Sequence, residues 1–196
     1  CISVNDQVAH GIPGDRVLEP GDIVSIDAGA QFKGWNGDSA ITIVVPGADP
    51  TVHAARERLS AVTEGSLWAG IAALASASRV GEIGDAVQGY SERSGEDYGI
   101  LRDYVGHGIG RRMHEGPTVF NYRVDDLGPA VRPGLCVAIE PMVTGGSEAT
   151  FVEDDEWTVS TVDGRDGCHC GPSVAADQKR NWGRTAAGGG APAFAP

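Results

Sequence analysis

This chain of 196 residues is poor in three features that announce whole classes of function. No apolar run approaches the roughly 20 residues that a membrane-spanning helix needs, so no membrane partner is expected. No cluster of Lys and Arg forms a stripe or patch, and the net charge of −12 repels a nucleic-acid backbone. Cys1, Cys136, Cys168 and Cys170 lack the spacing of a disulfide framework, which points to a reducing, cytoplasmic setting. A signal-peptide pattern is also missing. Residue 1 is Cys rather than Met, and the sequence enters at once on the strand-like Cys1-Ile2-Ser3-Val4, so a chain truncated at its N-terminus is the expectation.

What is present suits a folded domain: 41% hydrophobic and 21% charged residues, in a length that can bury a sizeable core. Turn residues dominate 5–21 and leave His10 on a loop. Residues 22–31 alternate as a strand, with Val24, Ile26 and Ala28 on one face and Asp27 on the other. Residues 36–45 form a second strand, β-branched from Ile41 to Val45. A hairpin folded about Phe32 and Lys33 sets Asp27 directly opposite Asp38. Two facing carboxylates repel each other unless a cation lies between them.

Asp49-Pro50 is a helix start, with Val52, Ala55, Leu59 and Val62 as its apolar stripe. A second helix spans roughly 80–92 on Val80, Ile83, Val87 and Tyr90. Strand-like segments follow at 98–105, 117–122, 135–143 and 156–162. Between the first two lies Gly106-His107-Gly108, with His114 seven positions on. Glu140 ends the apolar run 135–139, where a carboxylate is costly to bury unless it is paired or holds a metal. Asp27, Asp38, His107 and Glu140 form a carboxylate-rich set with one imidazole, which suits Mn, Fe, Co or Zn. Two ions bridged by carboxylates can polarise a carbonyl and activate water.

The order and surroundings of these residues resemble the type I methionine aminopeptidases of the pita-bread metallopeptidase family. The matching pieces are Cys1-Ile-Ser-Val-Asn, His10-Gly-Ile-Pro, the segment 22–27, Gly37-Asp38, Gly106-His-Gly-Ile-Gly110, Met113-His-Glu, Ile139-Glu-Pro-Met142 and Glu156-Trp-Thr, spread over residues 1–163. The resemblance implies an α/β (α+β) fold with a curved antiparallel sheet and helices on its outer face. It implies two divalent metal ions (Co, Mn, Fe or Zn) and removal of the initiator methionine from nascent polypeptides, in the cytoplasm and in association with ribosomes. By resemblance, Asp27, Asp38, His107 and Glu140 are metal ligands, and Glu140 also shuttles a proton. His10 and His114 hold the scissile peptide, and Cys1, Met113 and Trp157 line the methionine pocket.

The pattern breaks after residue 163. Family members carry a second glutamate ligand there, whereas residues 164–196 contain no Glu, Leu or Ile. The segment is rich in Gly, Ala and Arg and is expected to be a non-homologous, disordered tail, divergent or frameshifted. Its Cys168-His169-Cys170 cluster is a weak metal motif without a second pair, and no strand is expected to hold His169, Asp166 or Asp177. One metal site is thus expected to be compromised and the chain to be impaired or inactive. A proline-specific peptidase and a non-catalytic peptide-binding protein of the same fold are the alternatives.

Overall fold

The computed structural model describes residues 1–47 and 49–177 and the backbone of 181–183. Its longest strands are β3 (Ile23–Phe32) and β4 (Trp35–Val44), joined by Lys33-Gly34. Both turn residues have positive φ, 51° and 77°, the conformation whose twist matches a tight hairpin. Phe32 therefore pairs with Trp35, Asp27 with Ala40, and Gly29 with Asp38. The expected direct opposition of Asp27 and Asp38 is corrected: the turn closes one residue later and slides the register by two. An even slip keeps both carboxylates on one face, now diagonal, which lengthens the distance between like charges.

The remaining strands are short: β1 (Ile2–Val4), β2 (Gln7–Ala9), β5 (Gly99–Ile100), β6 (Gly106–Gly108), β7 (Glu115–Val119), β8 (Cys136–Ala138), β9 (Met142–Thr144), β10 (Thr150–Val152), β11 (Val159–Thr161), β12 (Gly167–His169), β13 (Gly171–Ala176) and β14 (Asn181–Gly183). The main sheet runs β1-β3-β4-β13-β8-β6-β7, with β14 on β13, and its pairings are antiparallel. Two three-stranded sheets, β10-β11-β2 and β12-β9-β5, complete the curved surface. The strand expected over 135–143 is split into β8 and β9, with Glu140-Pro141 at the break. Of the strand expected over 98–105, only Gly99–Ile100 pairs.

Helix α1 (Pro50–Leu74) begins where the sequence places it, the Asp49 carboxylate accepting from the amides of Thr51 and Val52. Its buried row starts only at Leu59 and continues through Val62, Leu67, Ile71 and Leu74, while Val52 is exposed. With Ile83 and Val87 of α2 (Glu82–Arg93), Leu59, Leu67, Ile71 and Leu74 join one core with Ile23, Val137, Val143 and Val174 of the strands and with Ile139. Among the described residues, no helix is long and apolar enough to cross a membrane.

The expectation of disorder from Gly164 is corrected for residues 164–177. All of β12 and β13 is buried, and β13 lies between β4 and β8. Large aliphatics are not needed there. The backbone of β13 is paired on both sides and that of β12 with β9, and Cys168, Cys170, Val174 and Ala176 join the core. The rest of the proposed tail, 178–180 and 184–196, lies outside the described residues.

Two predictions follow from this packing. A Cβ on Gly84 of α2 would overlap the Tyr122 carbonyl oxygen and come within 2.8 Å of that of Phe120. Gly84→Ala gains helix propensity of about 1 kcal/mol, yet overpacking costs about 1–3 kcal/mol and backbone cannot rotate away. Net destabilisation in urea unfolding is expected, and a variant more stable than the parent would refute the close approach. Burial would push the Asp22 carboxyl up, but the Glu19 amide and the Asn5 side chain, each at 2.9 Å, hold it below its ordinary value. A depressed folded pKa contributes stability above the unfolded value of about 4 and loses it as pH falls. Thermal melts of Asp22→Asn should therefore show a shallower loss of stability below that pH than the parent; parallel curves would argue otherwise.

Candidate metal centre

Three strands bring three ligand-type side chains together. Asp38 is set on β4, where its amide donates to Ser173 Oγ (2.9 Å) and its carbonyl accepts from the same hydroxyl (3.1 Å), joining β4 to β13. His107 lies at the middle of β6, its Nδ1 2.9 Å from the Gly108 carbonyl. Donation from Nδ1–H fixes the ring and turns Nε2 inward. Nε2 then stands 3.2 Å from Glu140 Oε1 and 3.5 Å from Asp38 Oδ2. Glu140 follows β8, its carbonyl accepting from Asn121 Nδ2 at 3.1 Å. One ligand atom from each of Asp38, His107 and Glu140 lies within 4.8 Å of the others.

The flanking glycines have a packing role. A Cβ on Gly106 would strike the Ala138 carbonyl oxygen, and one on Gly108 the Gly116 carbonyl oxygen. They let β6 close against β8 and β7, and it is this closure that seats His107.

The carboxylates favour positive charge among them. Burial would lower the His107 pKa, but Asp38 and Glu140 outweigh it and push it up to about 10. Burial would raise Glu140, but the imidazoles of His107 and His169 hold it down to about 2. Asp27 is raised, mainly by burial, with His169 opposing and the negative charges of Asp38 and Glu140 adding. A set of two carboxylates and one oriented imidazole fits a borderline divalent ion, so Asp38, His107 and Glu140 would hold it.

Asp27 lines the same narrow cleft with Asp38, Ala40, Ala138, Glu140, Gly171 and Pro172, but stands outside the close grouping of ligand atoms. Its backbone is tied to Cys1, whose backbone nitrogen donates to the Asp27 carbonyl at 2.7 Å and whose carbonyl accepts from its amide at 3.0 Å. Gly171 pairs with Ala40. A Cβ there would point at Glu140, 2.9 Å from its Cβ.

The expected peptide-holding histidines are both at the cleft. His114 meets the His107 ring edge-on, centroids 4.4 Å apart. His10, with φ 59°, has its ring between Tyr104 (5.6 Å) and Trp157 (5.4 Å). Burial lowers its pKa against the opposing charges of Asp27 and Glu140, which favours a neutral ring. Of the expected pocket residues, Met113 lies over Gly29, Trp157 is 56% exposed beside His10, and Cys1 is exposed. Sequence reasoning missed Tyr104, which sits three positions before His107 but was read as part of a strand. It also missed His169, whose Nε2 is 3.4 Å from Glu140 Oε2. The Cys-His-Cys spelling marked that spot, and the missing ingredient was β12, which holds it.

Residues 1–170 match the family model of the M24 metallopeptidases. The chain belongs to metallopeptidase family M24. It is 42% identical over 175 residues to methionine aminopeptidase 1 of Bacillus subtilis, covering 89% of this chain and 68% of that protein. Identity to methionine aminopeptidase 1 of Mycobacterium tuberculosis is 46% over 180 residues, 89% of this chain and 66% of that one. The crystal structure of methionine aminopeptidase from Thermotoga maritima superposes with a TM-score of 0.85 at 36% identity, covering 92% of this chain and 71% of the other. These likenesses place the M24 chain among the methionine aminopeptidases and its sheet in the pita-bread fold. It spans about two thirds of the length of the relatives it matches.

Removing the inward imidazole of this M24 chain should be decisive for the ion. His107→Ala leaves two carboxylates facing each other without a nitrogen donor. Calorimetric titration should show Co(II) or Mn(II) binding weakened beyond the about 10–100-fold typical of outer partners; unchanged affinity would remove His107 from the site.

Proposed function

We propose that this chain is a metal-dependent aminopeptidase domain for polypeptides that begin with methionine, and that it is impaired in the form seen here. The observation that carries both halves is the cleft itself. Asp38, His107 and Glu140 converge within ligand distance, while Gly171, which faces them, has no side chain to give. The curated relatives are named methionine aminopeptidases, and beside the ligand group His114 meets His107, Met113 lies over Gly29, Cys1 is tied to Asp27 and His10 packs on Trp157. We take nascent chains as the substrate class, the cytoplasm as the place of action and the neighbourhood of the ribosome as the source of substrate.

A bound divalent ion supplies Lewis-acid polarisation of the scissile carbonyl and a lowered pKa for water. The chain's own groups do the rest. Glu140, held ionised between two imidazoles, accepts the proton of the attacking water and passes it to the departing amine. His10, neutral at its aromatic seat, and His114 donate to the peptide group and stabilise the charge that develops on its oxygen, an effect on the order of 3–4 kcal/mol per donor in well-aligned sites. The methionine side chain lies against Met113 and Trp157, with Cys1 at the rim.

Gly171 is the position we assign to the missing glutamate ligand. Glycine supplies no carboxylate at that point of the cleft, so one ion and little turnover are expected. The same observation favours a second reading, a domain that binds peptide ends without cleaving them.

Release of methionine from a Met-Ala-Ser peptide, with Co(II) or Mn(II) present, tests the proposal. The parent should bind one ion and run near the blank rate. Gly171→Glu should gain a second ion and measurable turnover, once the main chain at Ile139-Glu140 moves to admit the new Cβ. Two tight ions and full turnover in the parent would sink the impairment; peptide binding without turnover in both proteins would favour the second reading.

A further inference from the structure

In the scheme above His169 is only one of two imidazoles beside Glu140, yet it is among the most constrained side chains at the site. It is 2% exposed, and its Nε2 is buried without a hydrogen-bond partner. A buried polar atom left unsatisfied costs about 1–3 kcal/mol, so its placement calls for a reason. Glu140 Oε2 stands 3.4 Å from Nε2, near enough to accept once the two groups are aligned.

The backbone beneath the ring cannot slide. The His169 amide donates to Ser25 Oγ (3.1 Å) and Thr42 Oγ1 (3.2 Å), and its carbonyl accepts from Thr42 Oγ1 at 2.7 Å. Those two hydroxyls are themselves 2.8 Å apart. On its other side β12 pairs with β9, His169 opposite Met142. The hairpin that carries Asp27 and Asp38 thus also fixes the position of His169.

Glu140 therefore lies between two imidazoles, Oε1 toward His107 at 3.2 Å and Oε2 toward His169 at 3.4 Å. The two rings differ in kind. His107 belongs to the group of ligand atoms within 4.8 Å of one another, and His169 does not. It reaches the far oxygen of a ligand rather than the place of the ion.

We propose that His169 is a positioning residue for Glu140: donation from Nε2–H to Oε2 turns that oxygen away from the ion and presents Oε1 alone. This rests on the reading of Asp38, His107 and Glu140 as a metal centre. A carboxylate free to rotate would offer either oxygen, and partners of this kind are worth about 10–100-fold in metal affinity. The constraint matters most in this chain, because Gly171 contributes no second carboxylate to hold the ion in place.

The test contrasts two amides. In His169→Gln the side-chain nitrogen falls near the place of Nε2, whereas in His169→Asn it stops one bond short. Calorimetry and the visible spectrum of Co(II) are read on the full chain, with circular dichroism confirming that each variant is folded. Co(II) affinity should stay within about threefold of the parent in the Gln variant and fall about 10–100-fold in the Asn variant, with an altered spectrum. His169→Leu should match Asn; should it fail to fold, the Gln–Asn contrast decides. Equal affinity across the parent, Gln and Asn proteins, or equal losses in Gln and Asn, would overturn the proposal. A parent that binds no Co(II) would instead refute the metal centre itself, and this inference would fall with it.

Discussion

Negative charges crowded into one cleft must be separated or offset, and most of the architecture around Asp27, Asp38 and Glu140 follows from that requirement. The diagonal register of β3 and β4 separates the two aspartates. The imidazoles on either side of Glu140 offset the third carboxylate. Neither device works in isolation, because the hairpin and the β8-β6-β7 half of the sheet are joined by β13. The strand latest in sequence among those of the site is therefore the one that makes it a single site.

Much of this was legible in the sequence. Alternation marked β3 and β4, Asp49-Pro50 marked the start of α1, and local pattern with the family resemblance singled out Asp27, Asp38, His107 and Glu140, of which the last three have ligand atoms within 4.8 Å of one another. What escaped depended on tertiary context. The hairpin register turned on which two residues took positive φ, and Lys33 gave no compositional sign that it would be one of them. The long apolar run 135–143 concealed the break at Glu140-Pro141 that aims the carboxylate.

The misreading of 164–177 is the instructive one. Burial was judged there by the number of large aliphatics, the right criterion for a helix face or an edge strand. A strand paired on both sides needs less, since its backbone is satisfied by its neighbours and small residues let those neighbours close in. Gly171, Ser173 and Ala175 are favourable in that place for the very reason they looked like tail. His169 was dismissed along with the strand that carries it, so the ring nearest the far oxygen of Glu140 went unnoticed.

At residue 171 shape and chemistry pull in opposite directions. β13 needs only its backbone to pair with Ala40, and glycine lets it lie against Glu140 without displacing it. A second ion needs a side chain at the same point. The fold is thus indifferent to the loss that the chemistry feels, because strand pairing is a main-chain property and ligation a side-chain one. On the proposed reading, that separation lets the chain keep its curved sheet and the grouping of Asp38, His107 and Glu140 while residue 171 offers no carboxylate. It also concentrates the hold on a bound ion in Asp38, His107 and Glu140, and so in whatever keeps Glu140 turned the right way.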